Sequence, residues 1–159
     1  MKITESILAH PLFRGSLERN GEDEKDRVYC HHDFQHCLDV ARVAYCMILE
    51  KNLPLEKDII YATALLHDLG KWKQYESGLD HALQGANLAG IILGDIGVEE
   101  KISLEIQDAI RTHRDRESKK SLLGEILYAS DKACRPCLFC KSLEDCKRFA
   151  EGRKPLLQY

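Results

Sequence analysis

Apolar residues recur along much of this chain at the three-to-four-residue spacing of amphipathic helices. The segment 33–51 shows this most clearly, because four of its residues fall at i, i+4, i+7 and i+11 and therefore share one face: His36, Val40, Val43 and Met47. Asp33 stands at the start of the segment, where its side chain can cap the first turn. The pattern predicts a long helix here with one face turned inward.

Further segments carry the same signal and are predicted to be helices: 3–9, Pro54 to about His67, 80–94 with Asp80 as its cap, 98–113 and 119–133. The segment that ends at His67 is apolar nearly all round, which is typical of a central helix. His10-Pro11 should end the first helix, and Asn20-Gly21 predicts a turn. Since no convincing strand pattern is present, we expect an all-α fold, a single helical bundle.

Composition narrows the class of protein. The 159 residues are 44% hydrophobic and 31% charged, as expected for one globular domain, and the formal net charge is −3. This charge argues against extensive or sequence-specific nucleic-acid binding. No apolar stretch approaches the roughly 20 residues of a membrane span, and the N-terminus lacks a secretion-signal pattern. We therefore expect a cytoplasmic protein without membrane contact, as a monomer or homodimer.

Ionisable residues interrupt the apolar faces at regular places. His67 and Asp68 are adjacent at the end of the most apolar segment, and four more residues lie on the inward faces of other predicted helices: His36, His81, His113 and Asp131. A buried ionisable group is costly unless it is paired. A single such histidine is more often a hydrogen-bonded core residue than a ligand. Six of them on five helices predict a shared divalent cation.

The same residues carry a family resemblance. The order His36, His67-Asp68, Asp131 resembles that of the HD-domain superfamily of metal-dependent phosphohydrolases over about residues 28–135. Residues 64–71 (ALLHDLGK) contain the namesake motif, residues 34–42 resemble the opening helix, and residues 128–132 resemble the closing aspartate motif.

This resemblance implies a ligand set and a cofactor. His36, His67, Asp68 and Asp131 would be the primary metal ligands, and some members of the superfamily use two further histidines for a second ion. His81 and His113 stand in those places, so the centre would hold one or two ions. In a centre with two ions, Asp68 would bridge them. Imidazole and carboxylate ligands suit Fe, Mn, Co, Ni or Zn better than Mg or Ca. Iron or manganese is the expected ion, with zinc, nickel and cobalt as alternatives.

A metal-dependent hydrolase follows from this site. A bound divalent ion activates water at neutral pH and polarises a phosphoryl oxygen, so phosphate ester or anhydride bonds can be hydrolysed. Asp68 would orient the water, and Lys71 would stabilise developing charge. Substrate contacts are assigned to Arg114, Lys132 and His32, although the charged residues could equally be ordinary surface charges. By resemblance, the substrate is a small phosphorylated compound, with a nucleotide as the best candidate.

Two other function classes remain open. Some HD proteins with the six-ligand order are di-iron oxygenases, which would be recognised by two irons per chain and by oxygen consumption. A non-catalytic metal or redox sensor is the third class, although the intact ligand set argues against it.

Seven cysteines are present, and four of them are bunched near the C-terminus: Cys134, Cys137, Cys140 and Cys146. This density is typical of a structural site for zinc or an iron–sulfur cluster, with Cys30 or a histidine as another source of the fourth ligand. Free thiols and redox or disulfide chemistry remain alternatives. We expect an HD domain at 1–133 and a cysteine-rich extension at 134–159 that packs on it.

Overall fold

The computed structural model describes residues 1–115 and 117–159 of the chain. These residues form eight α-helices and two short 3₁₀ helices, without any strand. The α-helices are α1 (Lys2–Ala9), α2 (Pro11–Asp23), α3 (Phe34–Lys51), α4 (Lys57–Leu66), α5 (Lys71–Ser77), α6 (His81–Asp95), α7 (Glu100–Thr112) and α8 (Leu122–Ala133). The 3₁₀ helices are Cys137–Phe139 and Lys147–Gly152. The all-α prediction is confirmed.

Helix α4 lies at the centre of the bundle. It contacts α1, α3, α6, α7 and α8, and Ala62, Ala64 and Leu66 are completely inaccessible to solvent. This agrees with its apolar sequence, because a helix that is hydrophobic all round needs neighbours on every side. The end of α4 carries His67 and Asp68 into the middle of the molecule.

The predicted helix caps are present. The Asp33 carboxylate accepts a hydrogen bond from the backbone N–H of His36 at 2.8 Å, and the Asp80 carboxylate accepts one from Leu83 at 3.0 Å. Each cap satisfies a backbone donor that the first helical turn leaves unpaired. These two caps fix the entries of α3 and α6, close to the positions of His36 and His81.

Three local predictions were wrong. Asn20-Gly21 does not form a turn, because α2 continues through it to Asp23 and buries the Asn20 side chain. Helix α4 begins at Lys57 instead of Pro54. Helix α5 was not predicted at all, since none of its residues is buried and it therefore has no apolar periodicity.

The turn between α4 and α5 packs tightly against the start of α6. A Cβ atom added to Gly70 would lie 2.4 Å from the His81 carbonyl oxygen and 2.5 Å from the Gly85 nitrogen. Only a residue without a side chain allows this approach. The contact holds His67 and Asp68 beside the helix that carries His81.

Every helix that the structure describes is too short or too polar to traverse a lipid bilayer.

Candidate metal centre

The carboxylate of Asp68 lies at the centre of the predicted ligand residues. Its Oδ2 faces His67 Nε2 at 3.0 Å and His36 Nε2 at 3.6 Å. Its Oδ1 faces His81 Nε2 at 3.3 Å and His113 Nε2 at 3.7 Å. One carboxylate therefore serves two separate pairs of histidines, as a bridging ligand would.

Two overlapping groups of potential ligand atoms result. Within each group the atoms lie within 4.8 Å of one another, and all the residues are buried. The first group contains His36, His67, Asp68 and Asp131, and the second contains Asp68, His81 and His113. The structure thus brings together all six residues that the sequence analysis selected. Their role as ligands stays a prediction.

Hydrogen bonds at the far side of the rings fix how three histidines face Asp68. The Nδ1 atoms of His67 and His113 lie 2.7 and 2.5 Å from the carbonyl oxygens of Ala64 and Ile110. His81 Nδ1 lies 2.6 Å from Gln74 Oε1. Since these oxygens only accept, each Nδ1 carries the proton, and each Nε2 presents a lone pair.

Lone pairs pointing at a carboxylate require a cation between them. His67 Nε2 is buried and has no hydrogen-bond partner among the residues that the structure describes, although the Asp68 carboxylate is close. An orphaned buried nitrogen of this kind is costly in a protein interior. A divalent metal ion would satisfy it, so the donor set fits the cofactor that the sequence predicts.

Electrostatics keep both carboxylates of the centre ionised. Burial favours a higher pKa for Asp68, but the imidazoles around it, His67 first, hold this pKa well below its usual range. The pKa of Asp131 is also held well below its usual range, because the hydrogen bond to His36 outweighs the effect of burial. The same carboxylates raise the pKa of His36 against its own burial. The centre is therefore a buried negative site suited to a cation.

A network of Glu24, His32 and Tyr75 borders the centre, with Glu24 and His32 buried, and the sequence analysis had selected only His32 from it. The Glu24 carboxylate accepts hydrogen bonds from His32 N at 2.6 Å, His32 Nδ1 at 2.5 Å and the Tyr75 hydroxyl at 2.5 Å. Burial would raise the pKa of Glu24, but the bonds from His32 and Tyr75 lower it to about 2. His32 Nε2 then points to Asp68 Oδ2 at 3.9 Å.

Asn20 holds the turn that carries the centre. Its Nδ2 donates to the Asp68 carbonyl oxygen at 3.1 Å, and its Oδ1 accepts from Trp72 N at 2.8 Å. Both ends of the amide are therefore used by backbone groups of the turn between α4 and α5. No sequence pattern linked Asn20 to this turn, because the partners are far apart in the chain.

A cavity of about 890 Å³ opens above the centre, and it is lined by the predicted substrate-binding residues His32, Arg114 and Lys132 and by Lys71, which was predicted to be catalytic. Lys132 Nζ lies 2.5 Å from Asp131 Oδ2, and Arg114 is paired with Asp80 at 3.2 Å. Burial lowers the pKa of Lys71. The substrate and catalytic roles of these residues remain predictions.

Arg135 also lines the cavity, and the sequence analysis did not select it. Its guanidinium lies 2.9 Å from His36 Nε2 and 3.6 Å from Asp131 Oδ1. The only signal that could have identified it is its position four residues after Asp131, one helical turn further along the chain. It brings a fixed positive charge to the edge of the metal centre.

The cysteines divide into two sets. Cys137, Cys140 and Cys146 line the cavity together with Cys30. Cys134 instead directs its Sγ towards His36 Nδ1 at 3.7 Å and the Asp131 carbonyl oxygen at 3.6 Å. Cys134 therefore lies apart from Cys137, Cys140 and Cys146, and the structure does not gather the four predicted C-terminal ligands in one place.

This chain is similar to proteins that contain an HD domain. The family model of the HD domain matches residues 33–135. An uncharacterized protein of Clostridium beijerinckii is 41% identical over 130 residues, covering 82% of each chain. The crystal structure of a predicted HD superfamily hydrolase from an uncultured Thermotogales bacterium superposes with a TM-score of 0.60 at 30% identity. That superposition covers 76% of this chain and 66% of the other.

Ribonuclease Y of Pelobacter propionicus is a more distant relative. It is 29% identical over 131 residues, which are 77% of this chain but only 23% of that protein. The chain thus spans less than a quarter of the length of ribonuclease Y.

Proposed function

This chain belongs to the HD domain family, and from that membership we propose that it is a metal-dependent phosphohydrolase acting on a small phosphorylated compound, with a nucleotide as the substrate class. One observation carries the proposal. The buried carboxylate of Asp68 is shared by two groups of ligand atoms at the base of a cavity lined with cationic side chains.

The cavity is suited to a phosphorylated ligand. Its volume of about 890 Å³ falls within the range of about 300–1,000 Å³ that is typical of small-molecule sites. Lys71, Arg114 and Arg135 lie on its wall. Guanidinium groups match the oxygens of a phosphate, and ammonium groups neutralise its charge. These residues would hold the phosphoryl group over Asp68.

Protein residues would position the attacking water and take its proton. A bound divalent cation would supply an activated water and a Lewis acid for the phosphoryl oxygen. Asp68 would orient the water. Burial lowers the pKa of His32, which favours its neutral form, and the hydrogen bond from Nδ1 to Glu24 leaves Nε2 facing Asp68. His32 would then accept the proton as a general base.

Phosphate release from a panel of nucleotides and sugar phosphates tests the proposal. The chain is assayed with Mn²⁺ or Fe²⁺, and a dinucleotide is included because ribonuclease Y, by its name, cleaves RNA. Asp68→Ala should reduce turnover to background, since it removes the atom pair common to both ligand groups. A folded, metal-loaded chain without turnover on the whole panel would contradict a phosphohydrolase.

The second ligand group also favours a di-iron oxygenase as a second candidate function. Asp68, His81 and His113 would hold a second ion beside the first, as a di-iron oxygenase requires. Oxygen consumption by the ferrous protein, with two irons per chain, would support this candidate. His81→Ala should then abolish oxygen consumption and leave the first ion in place.

A further inference from the structure

The segment that follows α8 has no hydrophobic core of its own. Of the side chains that the structure describes after Asp131, none is buried. Phe139 is 93% exposed, and Leu156 and Leu157 are 79% and 80% exposed. Burial of apolar surface is the usual force that orders a chain segment, and it is small here. Another interaction must fix the turns of this segment.

Three of its cysteines stand at consecutive tight turns. The backbone N–H of Cys140 donates to Cys137 O at 3.2 Å, that of Leu143 to Cys140 O at 3.3 Å, and that of Cys146 to Leu143 O at 3.2 Å. Among the described residues, no three of these cysteine sulfurs lie within 4.8 Å of one another, so a bound ion or cluster would have to draw them together on these turns. All three sulfur-bearing residues lie on the wall of the same cavity.

The fourth cysteine comes from the loop before α3. Ser142 Oγ donates to the Val28 carbonyl oxygen at 2.7 Å, and the Arg135 guanidinium donates to the His31 carbonyl oxygen at 2.9 Å. These two hydrogen bonds join the C-terminal segment to the loop on both sides of Cys30. Cys30 thereby lines the cavity beside Cys137, whereas Cys134 points away towards His36.

The four thiols are neighbours. Cys30, Cys140 and Cys146 all lie close enough to Cys137 to act on its charge. Thiolates that lie side by side repel one another, and a metal ion that they share neutralises their charge. All seven cysteines of the chain are free, so these four are available.

We propose that Cys30, Cys137, Cys140 and Cys146 bind a thiolate-ligated metal centre, either zinc or an iron–sulfur cluster, in the wall of the cavity that also contains the His–Asp centre. Zinc and iron–sulfur clusters share this four-cysteine chemistry. The site joins the loop before α3 to the C-terminal segment, which apolar packing leaves unsupported. It does not depend on the hydrolase proposal, because it uses none of the six His–Asp residues.

Metal content of single-cysteine variants tests the assignment. The full chain is purified without oxygen, and zinc, iron and acid-labile sulfide are measured together with the absorption spectrum. We expect about one thiolate-bound zinc per chain, or about four irons with sulfide. Cys30→Ser should lose this metal. Cys46→Ser and Cys134→Ser should keep it, since Cys46 lies on α3 and neither residue lines the cavity.

Metal at the His–Asp centre is counted separately with His67→Ala, which should retain the thiolate-bound metal and its absorption. Far-UV circular dichroism of Cys30→Ser checks that the helices are intact, so that loss of metal is not loss of fold. Unchanged metal in Cys30→Ser, or loss of metal in Cys134→Ser, would overturn the assignment. A disulfide between these cysteines, or absence of thiolate-bound metal from the anaerobic protein, would overturn the proposal.

Discussion

At the scale of single residues, the two oxygens of Asp68 separate the centre into two halves. Oδ2 faces His36 and His67, while Oδ1 faces His81 and His113. If two ions were bound, Asp68 would be a ligand common to both groups of ligand atoms. Removal of this one side chain would disable both halves.

Glu24→Gln should alter stability in acid. The native pKa of Glu24 is about 2, below its ordinary 4.5, so its carboxylate stabilises the fold above pH 4.5 and this contribution disappears as the pH falls towards 2. Glutamine keeps the shape without the charge. We expect a loss on the order of 2 kcal/mol at neutral pH after allowance for solvent screening. Urea denaturation at several pH values measures it.

The difference between wild type and Glu24→Gln should shrink as the pH approaches 2. Tyr75→Phe serves as a control, since it removes one neutral donor to the same carboxylate and leaves the charge in place. A stability difference that stays constant between pH 5 and pH 2 would show that the glutamate charge is not responsible.

The sequence identified the six His–Asp residues because each interrupts an apolar helical face, which is a local signal. Glu24 and Asn20 have no such signal. Glu24 lies in an acidic, polar stretch, and its partner Tyr75 is distant in the chain. Asn20 precedes a glycine and therefore resembled a turn residue. Both act through partners that only the tertiary structure brings near.

At the scale of elements, the position of the centre depends on how the turn after α4 meets α6. Gly70 lies against the backbone of His81 and Gly85, and Gly85 in turn would place a Cβ 3.0 Å from His67 O. The periodic pattern predicted α3, α6, α7 and α8 within a few residues. It could not predict this contact, because a close approach of two backbones leaves no periodic pattern.

Gly70→Ala should destabilise the fold and disturb the centre. The added methyl group would lie 2.4 Å from His81 O and 2.5 Å from Gly85 N, and backbone atoms cannot move aside cheaply. We expect a loss of about 3 kcal/mol in the free energy of unfolding and weaker metal binding. Thermal unfolding and metal titration measure the two effects.

Gly94→Ala, on α6, is the matched control for Gly70→Ala. A Cβ at Gly94 meets nothing within 4 Å, so alanine should stabilise the helix by about 0.5 kcal/mol. Equal effects of the two alanine variants would contradict a steric role for Gly70.

At the scale of the whole molecule, the predicted metal ligands come from several helices of the bundle around α4. The C-terminal segment forms part of the cavity wall and adds no buried side chain to the core among those described. The division of the chain at residues 133 and 134 remains a prediction. Its physical basis is the change in burial after Asp131.

Removal of residues 136–159 tests this division. A chelator is present so that no metal contributes to stability. The free energy of unfolding of the shortened chain should fall by less than about 1 kcal/mol, because the removed segment contains no buried side chain among those described. Arg135 is retained because it contacts His36. Chemical denaturation measures the effect. A shortened chain that no longer unfolds cooperatively would show that the segment belongs to the core.

The wide spacing of the His–Asp residues along the chain has a thermodynamic consequence. His36 on α3 and Asp131 on α8 are far apart in the chain and are brought together by the packing of their helices, so an ion held between them would recognise the native state and not the unfolded chain. By mass action, an ion present at 100 times its dissociation constant would add about 2.7 kcal/mol to the free energy of unfolding. The availability of metal in the surroundings would thus set the stability of the fold as well as its chemistry.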